Sequence, residues 1–176
     1  MSSFTDFSAP LNIQFDADAS RALGKDHWRV TQAFRYYIQD KERGEWVYVP
    51  AGYLTDGASV PRLLWPLLPP WGVYGQAAVV HDIVCEYLSI SVDGEPRSIS
   101  REACDNILFE AMAVLKVPGY KRWLITTGVN LIRRLHNIHL PTSTPKKQAL
   151  EANWAAEVRA DEGASSTLAE KPVMTR

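Results

Sequence analysis

The chain is poor in sulfur ligands. Its two cysteines, Cys85 and Cys104, stand among 176 residues, too few and too widely spaced to build a zinc site by themselves. Two buried, inert thiols are the plain expectation. Charge of one sign is missing too: 19 Lys and Arg against 20 Asp and Glu leave a net charge of -1. That supplies no overall attraction to nucleic acid or to an anionic membrane. No apolar run approaches the roughly 20 residues that a bilayer-spanning helix needs. The opening "MSSFTDFSAPLNIQF" has no basic segment followed by an apolar stretch, so no secretory signal is expected. Internal repeats are absent.

What remains is ordinary for a globular chain, with 46% hydrophobic and 22% charged residues. The length suits one domain with an arm or tail. Residues 1–26 read as an N-terminal arm with one short strand at "NIQFDA". In "HWRVTQAFRYYIQ", Trp28, Val30, Phe34, Tyr36 and Ile38 alternate, as in a strand with one face buried. "DKERGE" is a charged turn leading to "WVYVPAGYLT", a second β segment that breaks at Pro50. A hairpin or small meander over residues 27–55 follows. "VPRLLWPLLPPWGVYG" is a proline- and tryptophan-rich loop. Helices are expected over about 74–88, from an N-cap at Ser100, and over "YKRWLITTGVNLIRRLHN", with Leu124, Gly128, Leu131 and Leu135 as a stripe. "SISVDGEPRSIS" reads as a polar connector. The fold class is therefore α+β: an N-terminal antiparallel β unit, then a three-helix unit, in a domain spanning 27–140. Residues 141–176 form an arm, with one lone helix in "PKKQALEANWAAEVRA" and a disordered end.

The helix "AAVVHDIVCEYL" sets the functional question, because a buried titratable pair is costly unless something satisfies it. His81 shares a face with Ala77, Ala78, Val84 and Cys85, and small residues there let a second helix approach. Asp105, on the next helix, has Arg101, Leu108 and Phe109 as one-turn neighbours. Antiparallel packing of the two helices would bring its carboxylate to the imidazole. Such a pair fixes the tautomer and supports the imidazolium that forms when the other nitrogen takes a proton. His81 is then a candidate base toward water. A single buried structural hydrogen bond explains the same positions equally well. Asp82 points about 100° away around the helix, toward "YLTDGAS". There, with Asp56, it is either an oxygen ligand suited to Ca²⁺ or a pin for the loop.

The run "VPAGYLTDGASVPRLLWPLLPPWGVYGQAAVVHD", followed by "SREACDNILFEAM", resembles a domain family of tailed bacteriophages and prophages. Its hallmarks are the TDGAS-x-P turn, the tryptophan-rich loop, the helical HD pair and a later Ala-x-Asp helix with Phe. The resemblance covers about residues 27–135 and implies no activity. A fainter likeness is to secreted and parvoviral phospholipases A2, which set an HD pair on one helix and the dyad's Asp on an antiparallel partner. That likeness implies His81 as base, Asp82 as calcium ligand and Asp105 as orienting group. It also implies that Cys85 and Cys104 lie at one helix–helix seam, as a disulfide or a close pair. The sequence departs from that group at Cys85, where a tyrosine is usual; Tyr87 is the nearest tyrosine. It also lacks the glycine-rich calcium loop, for which the "TDGAS" turn, with Gly57 and Ser59, would have to substitute.

Trp65, Trp71 and Tyr74 make a stiff aromatic loop, expected as a lid over the core, a pocket wall or a membrane lip. Between Ala111 and Leu150 there are seven Lys or Arg and no acid, which suits a solvated face or an anionic lipid surface. His136 and His139 would complete a metal set with His81 and Asp82 if the chain were a phosphohydrolase. Three functions stay open: a phage-encoded, phospholipase A2-like hydrolase of a lipid ester; a non-enzymatic virion or host-interaction protein; and a metal phosphohydrolase. Expected partners are a lipid surface or other virion proteins rather than nucleic acid, with the C-terminal arm docking on a neighbouring chain. The expected location is the host cytoplasm or the virion.

Overall fold

In the computed structural model the described residues are 6–38, 44–57 and 71–169, with side chains described through 160. The fold is α+β, with antiparallel sheets preceding most of the helices. In chain order come β1 (Asp6–Phe7), β2 (Ile13–Phe15), α1 (Ala17–Leu23), β3 (Trp28–Val30), β4 (Phe34–Tyr37), β5 (Glu45–Val49), β6 (Leu54–Thr55), α2 (Gly75–Tyr87), β7 (Ser89–Val92), β8 (Glu95–Ser98), α3 (Arg101–Val114), α4 (Gly119–Leu135) and α5 (Pro145–Ala169). Strands β1-β4-β5-β7-β8 form one sheet and β2-β3-β6 the other.

The expected hairpin exists, but it is bent. Phe34 lies opposite Val49 and Tyr36 opposite Val47, while Trp28 lies opposite Thr55. Across the bend Val30 N–H donates to Tyr53 C=O at 2.8 Å, so a single register runs through both sheets. The alternating apolar positions still point inward, since Val30, Phe34, Tyr36 and Ile38 are all buried. The break falls at Thr31–Ala33, facing the turn that Pro50 begins. There Gly52 adopts φ +91°, open to glycine at little cost.

Several expectations need correction. Residues 89–99 hold a β-hairpin, not a polar connector. Asp93 and Gly94 both have positive φ, 51° and 93°, the geometry that an Asp-Gly two-residue turn favours. This hairpin adds β7 to the edge of β5. Helix α1 adds to the three-helix unit and the lone C-terminal helix that were expected, making five among the described residues, and helix α5 continues to Ala169 through the stretch expected to be disordered. The α4 stripe divides: Leu131 and Leu135 are exposed, while Leu124, Ile125 and Val129 pack on the core. Residues 6–26, read as an arm, supply β1 and β2 to the two sheets.

The core lies between the larger sheet and α2–α3. Tyr36, Val47 and Val49 from the strands meet Val79, Val80 and Val84 of α2 and Leu108 and Met112 of α3. Ser100 caps α3, its hydroxyl accepting from Ala103 N–H at 3.1 Å. The two helices run antiparallel, as the paired positions show: Ile99 N–H to Leu88 C=O, Cys104 to Val84, and Asp105 to His81.

Candidate functional site

Helix α2 divides its side chains among three neighbours, which follows from successive residues stepping about 100° around the axis. His81 and Cys85 face α3. Asp82 and Glu86 face β6 and α5. Ile83 and Tyr87 face the sheet.

On the first face, His81 Nε2 and Asp105 Oδ1 are hydrogen-bonded at 3.0 Å. Asp105 is buried at 2% exposure, and its other oxygen accepts from Arg133 Nε of α4 at 2.8 Å. Arg133 in turn donates to Asn130 Oδ1 at 2.7 Å. One carboxylate therefore ties three helices together. His81 Nδ1 has no hydrogen-bond partner among the described residues, and the side chain keeps 15% of its surface in solvent. Burial pulls the imidazole pKa down, but hydrogen bonds with Asp105 and Cys85 more than reverse this and hold it at about 9. In the sequence Arg133 stands out only as one basic residue among several. Its helical position, on the face shared with Arg122, is the available signal. Arg122 likewise faces α3, stacking 4.9 Å from the Phe109 ring centre.

Cys85 and Cys104 meet at the same seam as free thiols. The Cys85 sulfur lies 3.3 Å from His81 Nε2. Its hydrogen bond with Cys104, together with burial, raises its pKa, and the same bond lowers that of Cys104.

On the second face, Asp82 Oδ2 accepts from the Thr55 hydroxyl at 2.7 Å. That hydroxyl also accepts from Gly57 N–H at 3.0 Å. The aspartate thus pins the "TDG" turn through the Thr55 side chain. Asp56 pairs with Lys25 at 2.5 Å. Burial first, and the nearby Asp56 charge second, push the Asp82 carboxyl well above the usual carboxylate range. Around it Glu86 and Glu151 share Lys147, which is 7% exposed and lies over the Tyr53 ring. Glu151 also accepts from Leu54 N–H at 2.9 Å. Asp82 makes no ion pair among the described residues. Nothing local in the sequence marks these docking residues of α5, although Asp82 and Glu86 stand one turn apart.

The aromatic expectations fare differently. Trp71 packs edge-on against Trp28 at 5.0 Å, and Tyr74 is buried at the start of α2. Tyr87 is exposed and lines a shallow cleft with Val47, Tyr48, Ile83 and Pro96, away from His81. Ser59 and Trp65 lie outside the described residues. His136 ends α4 and His139 hydrogen-bonds Asn137. Both are exposed and neither meets His81 or Asp82 among the described residues, so the phosphohydrolase ligand set is not assembled. The C-terminal segment docks on its own chain: Lys147 reaches Glu86, and the Trp154 ring lies over Gly52.

Residues 28–129 match the family described as "Protein of unknown function (DUF1353)", a span that contains both α2 faces and Asp105. The chain belongs to the DUF1353 family. It is also 32% identical over 85 residues to "Uncharacterized protein y4jT" of Sinorhizobium fredii (strain NBRC 101917 / NGR234), covering 45% of this chain and 23% of that protein. The chain thus spans about a quarter of that relative. No solved structure matches. Arg133 lies just beyond the DUF1353 match, so the helix pair is inside the family's span and the arginine is outside it. No helix among the described residues is long and apolar enough to cross a membrane.

Proposed function

We propose that this DUF1353 protein is a phospholipase A2-like hydrolase of lipid esters, encoded by a phage or prophage. The observation that carries the reading is the asymmetry of His81: Nε2 is held by a buried carboxylate while Nδ1 is left for a substrate-side proton. Neutral His81 takes a proton from water at Nδ1 as the water oxygen attacks the ester carbonyl. The imidazolium, supported by Asp105, then returns that proton to the leaving alcohol. Arg133 holds the second oxygen of Asp105 at 2.8 Å and fixes the carboxylate, so the ring does not rotate out of line.

The second α2 face fits a hard cation. Asp82, with its raised pKa, offers a carboxylate and has no cation in ion-pair contact among the described residues, and Asp56, paired with Lys25, would exchange that lysine for the metal. Asp82 and Asp56 would hold Ca²⁺, which when bound offsets negative charge developing on the ester oxygen. A lipid substrate is supported by α4, whose outer side exposes Tyr120, Trp123, Leu131 and Leu135 on a helix with Lys121 and Arg134 and no acid. Aromatic and aliphatic residues beside cations suit an anionic lipid surface.

The test is hydrolysis of mixed phospholipid vesicles with Ca²⁺ or with chelator, comparing wild type and His81→Gln. Because the resting imidazole titrates near 9, activity should rise with pH toward that value and disappear in the variant. A second reading is favoured by Asp105 holding both His81 and Arg133: a polar clamp in a non-enzymatic virion or host-interaction protein. An inactive wild type whose His81→Gln variant melts several degrees lower would select the clamp.

A further inference from the structure

Where the phospholipase A2 likeness calls for a tyrosine, this chain has Cys85. His81 and Cys85 stand one turn apart on α2, and Asp105 reaches the same point from α3. Their donor atoms, Nε2, Sγ and a carboxylate oxygen, all lie within 4.8 Å of one another. Nε2 is 3.0 Å from Oδ1 and 3.3 Å from Sγ. Among the described residues no other three His, Cys, Asp or Glu side chains converge in this way.

We infer that His81, Cys85 and Asp105 form a binding site for a borderline-soft divalent metal, of which zinc is the fitting member. A tetrahedral zinc with bonds of about 2.0–2.3 Å separates its donor atoms by roughly 3.3–3.7 Å. The His–Asp edge, at 3.0 Å, needs to open by a few tenths of an ångström and the His–Cys edge, at 3.3 Å, is already close, while the Cys–Asp edge lies within 4.8 Å and would settle into that range. The donor set is selective: a thiolate and an imidazole favour zinc over calcium or magnesium, which prefer oxygen. Asp105 is already prepared as a one-oxygen ligand, because Arg133 holds its second oxygen. Ligating carboxylates are commonly oriented by such an outer hydrogen bond. A fourth ligand would have to be a water, since three protein donors leave one tetrahedral position to fill.

Binding releases protons to solvent, since the thiol and Nε2 must both be free of them to ligate. The Nε2–Asp105 hydrogen bond is then replaced by two metal bonds, and His81 is no longer supported as a dyad base. Zinc at this seam switches off the hydrolysis proposed above; that consequence rests on the hydrolase reading, whereas the binding does not. The site is separate from the Asp82 oxygen cluster, which lies about 100° farther round α2.

The experiment is a Zn²⁺ titration of the reduced full chain against a chromophoric chelator, with a parallel Cd²⁺ titration followed by the ultraviolet thiolate-to-metal band. Expected are one metal per chain, a Cd²⁺ band, and roughly 100-fold or greater loss of zinc affinity in Cys85→Ala. The band should vanish in that variant, while Asp82→Asn binds zinc as the wild type does. Zinc bound equally by Cys85→Ala, or no Cd²⁺ band in the wild type, would overturn the site. The wild-type band does not depend on any variant folding. Vesicle hydrolysis in Ca²⁺ without added zinc reads the other proposal separately: a chain that binds zinc but hydrolyses nothing retains this site and ends the hydrolase reading.

Discussion

Removing the charge of His81, by pH or by mutation, should cost the fold a defined amount. In the folded chain the imidazole pKa stands at about 9 against 6.5 for the free side chain. At about 1.4 kcal/mol for each tenfold change in proton affinity, the rise is worth about 3 kcal/mol. The ring is 15% exposed and Asp105 only 3%, so solvent screening removes little of this. The sign follows from the direction of the rise. Below about 6.5 both the folded and the unfolded chain carry the proton, and the stabilisation is complete. As pH climbs, the unfolded chain releases its proton first, and the contribution is lost progressively until the folded imidazole titrates near 9. Urea denaturation at pH 6, 7.5 and 9.5 measures it directly. The wild type should lose about 3 kcal/mol across that range beyond any loss in His81→Gln, whose amide does not titrate. Parallel pH profiles for the two proteins would refute the charged His81–Asp105–Arg133 arrangement.

Two further perturbations test the rest of the site. Thr55→Val removes the hydroxyl that joins Asp82 to Gly57 N–H and leaves a buried carboxyl without its donor. A loss of about 1–3 kcal/mol is expected, read as a lower urea midpoint with unchanged slope. Gly52→Ala places a Cβ 2.4 Å from the Trp154 ring at a backbone φ of +91°. Helix α5 should lift from the domain, detected as a red shift in Trp154 fluorescence and faster proteolysis within residues 145–160.

Much of this protein is legible one residue at a time. The alternation of Val30, Phe34, Tyr36 and Ile38 marks one buried face, Pro50 marks the break, and Ser100 marks the start of α3. His81, Cys85 and Asp105 can be placed together because helical periodicity and a short connector leave two neighbouring helices few ways to pack. The Asp93-Gly94 turn is an equally local signal, masked by the polar residues on either side.

Other features depend on distant parts of the chain meeting. Nothing near Thr31 announces that the hairpin bends from one sheet into the other, because the bend keeps the same register. Arg133 reaches Asp105 because α4 packs on α3 with Leu124, Ile125 and Val129 against the core, Arg133 beside them, and Leu131 and Leu135 outward. Lys147 and Glu151 reach the Asp82 cluster from more than 60 residues away. Local pattern thus determined which faces are apolar and where the helices and strands begin, since those depend on backbone geometry that each residue feels directly. Arg133 as the second partner of Asp105, and Lys147 and Glu151 beside Asp82, were decided by tertiary structure alone. The charge and hydrogen bonding of a buried group depend on which distant side chains fill the remaining space around it.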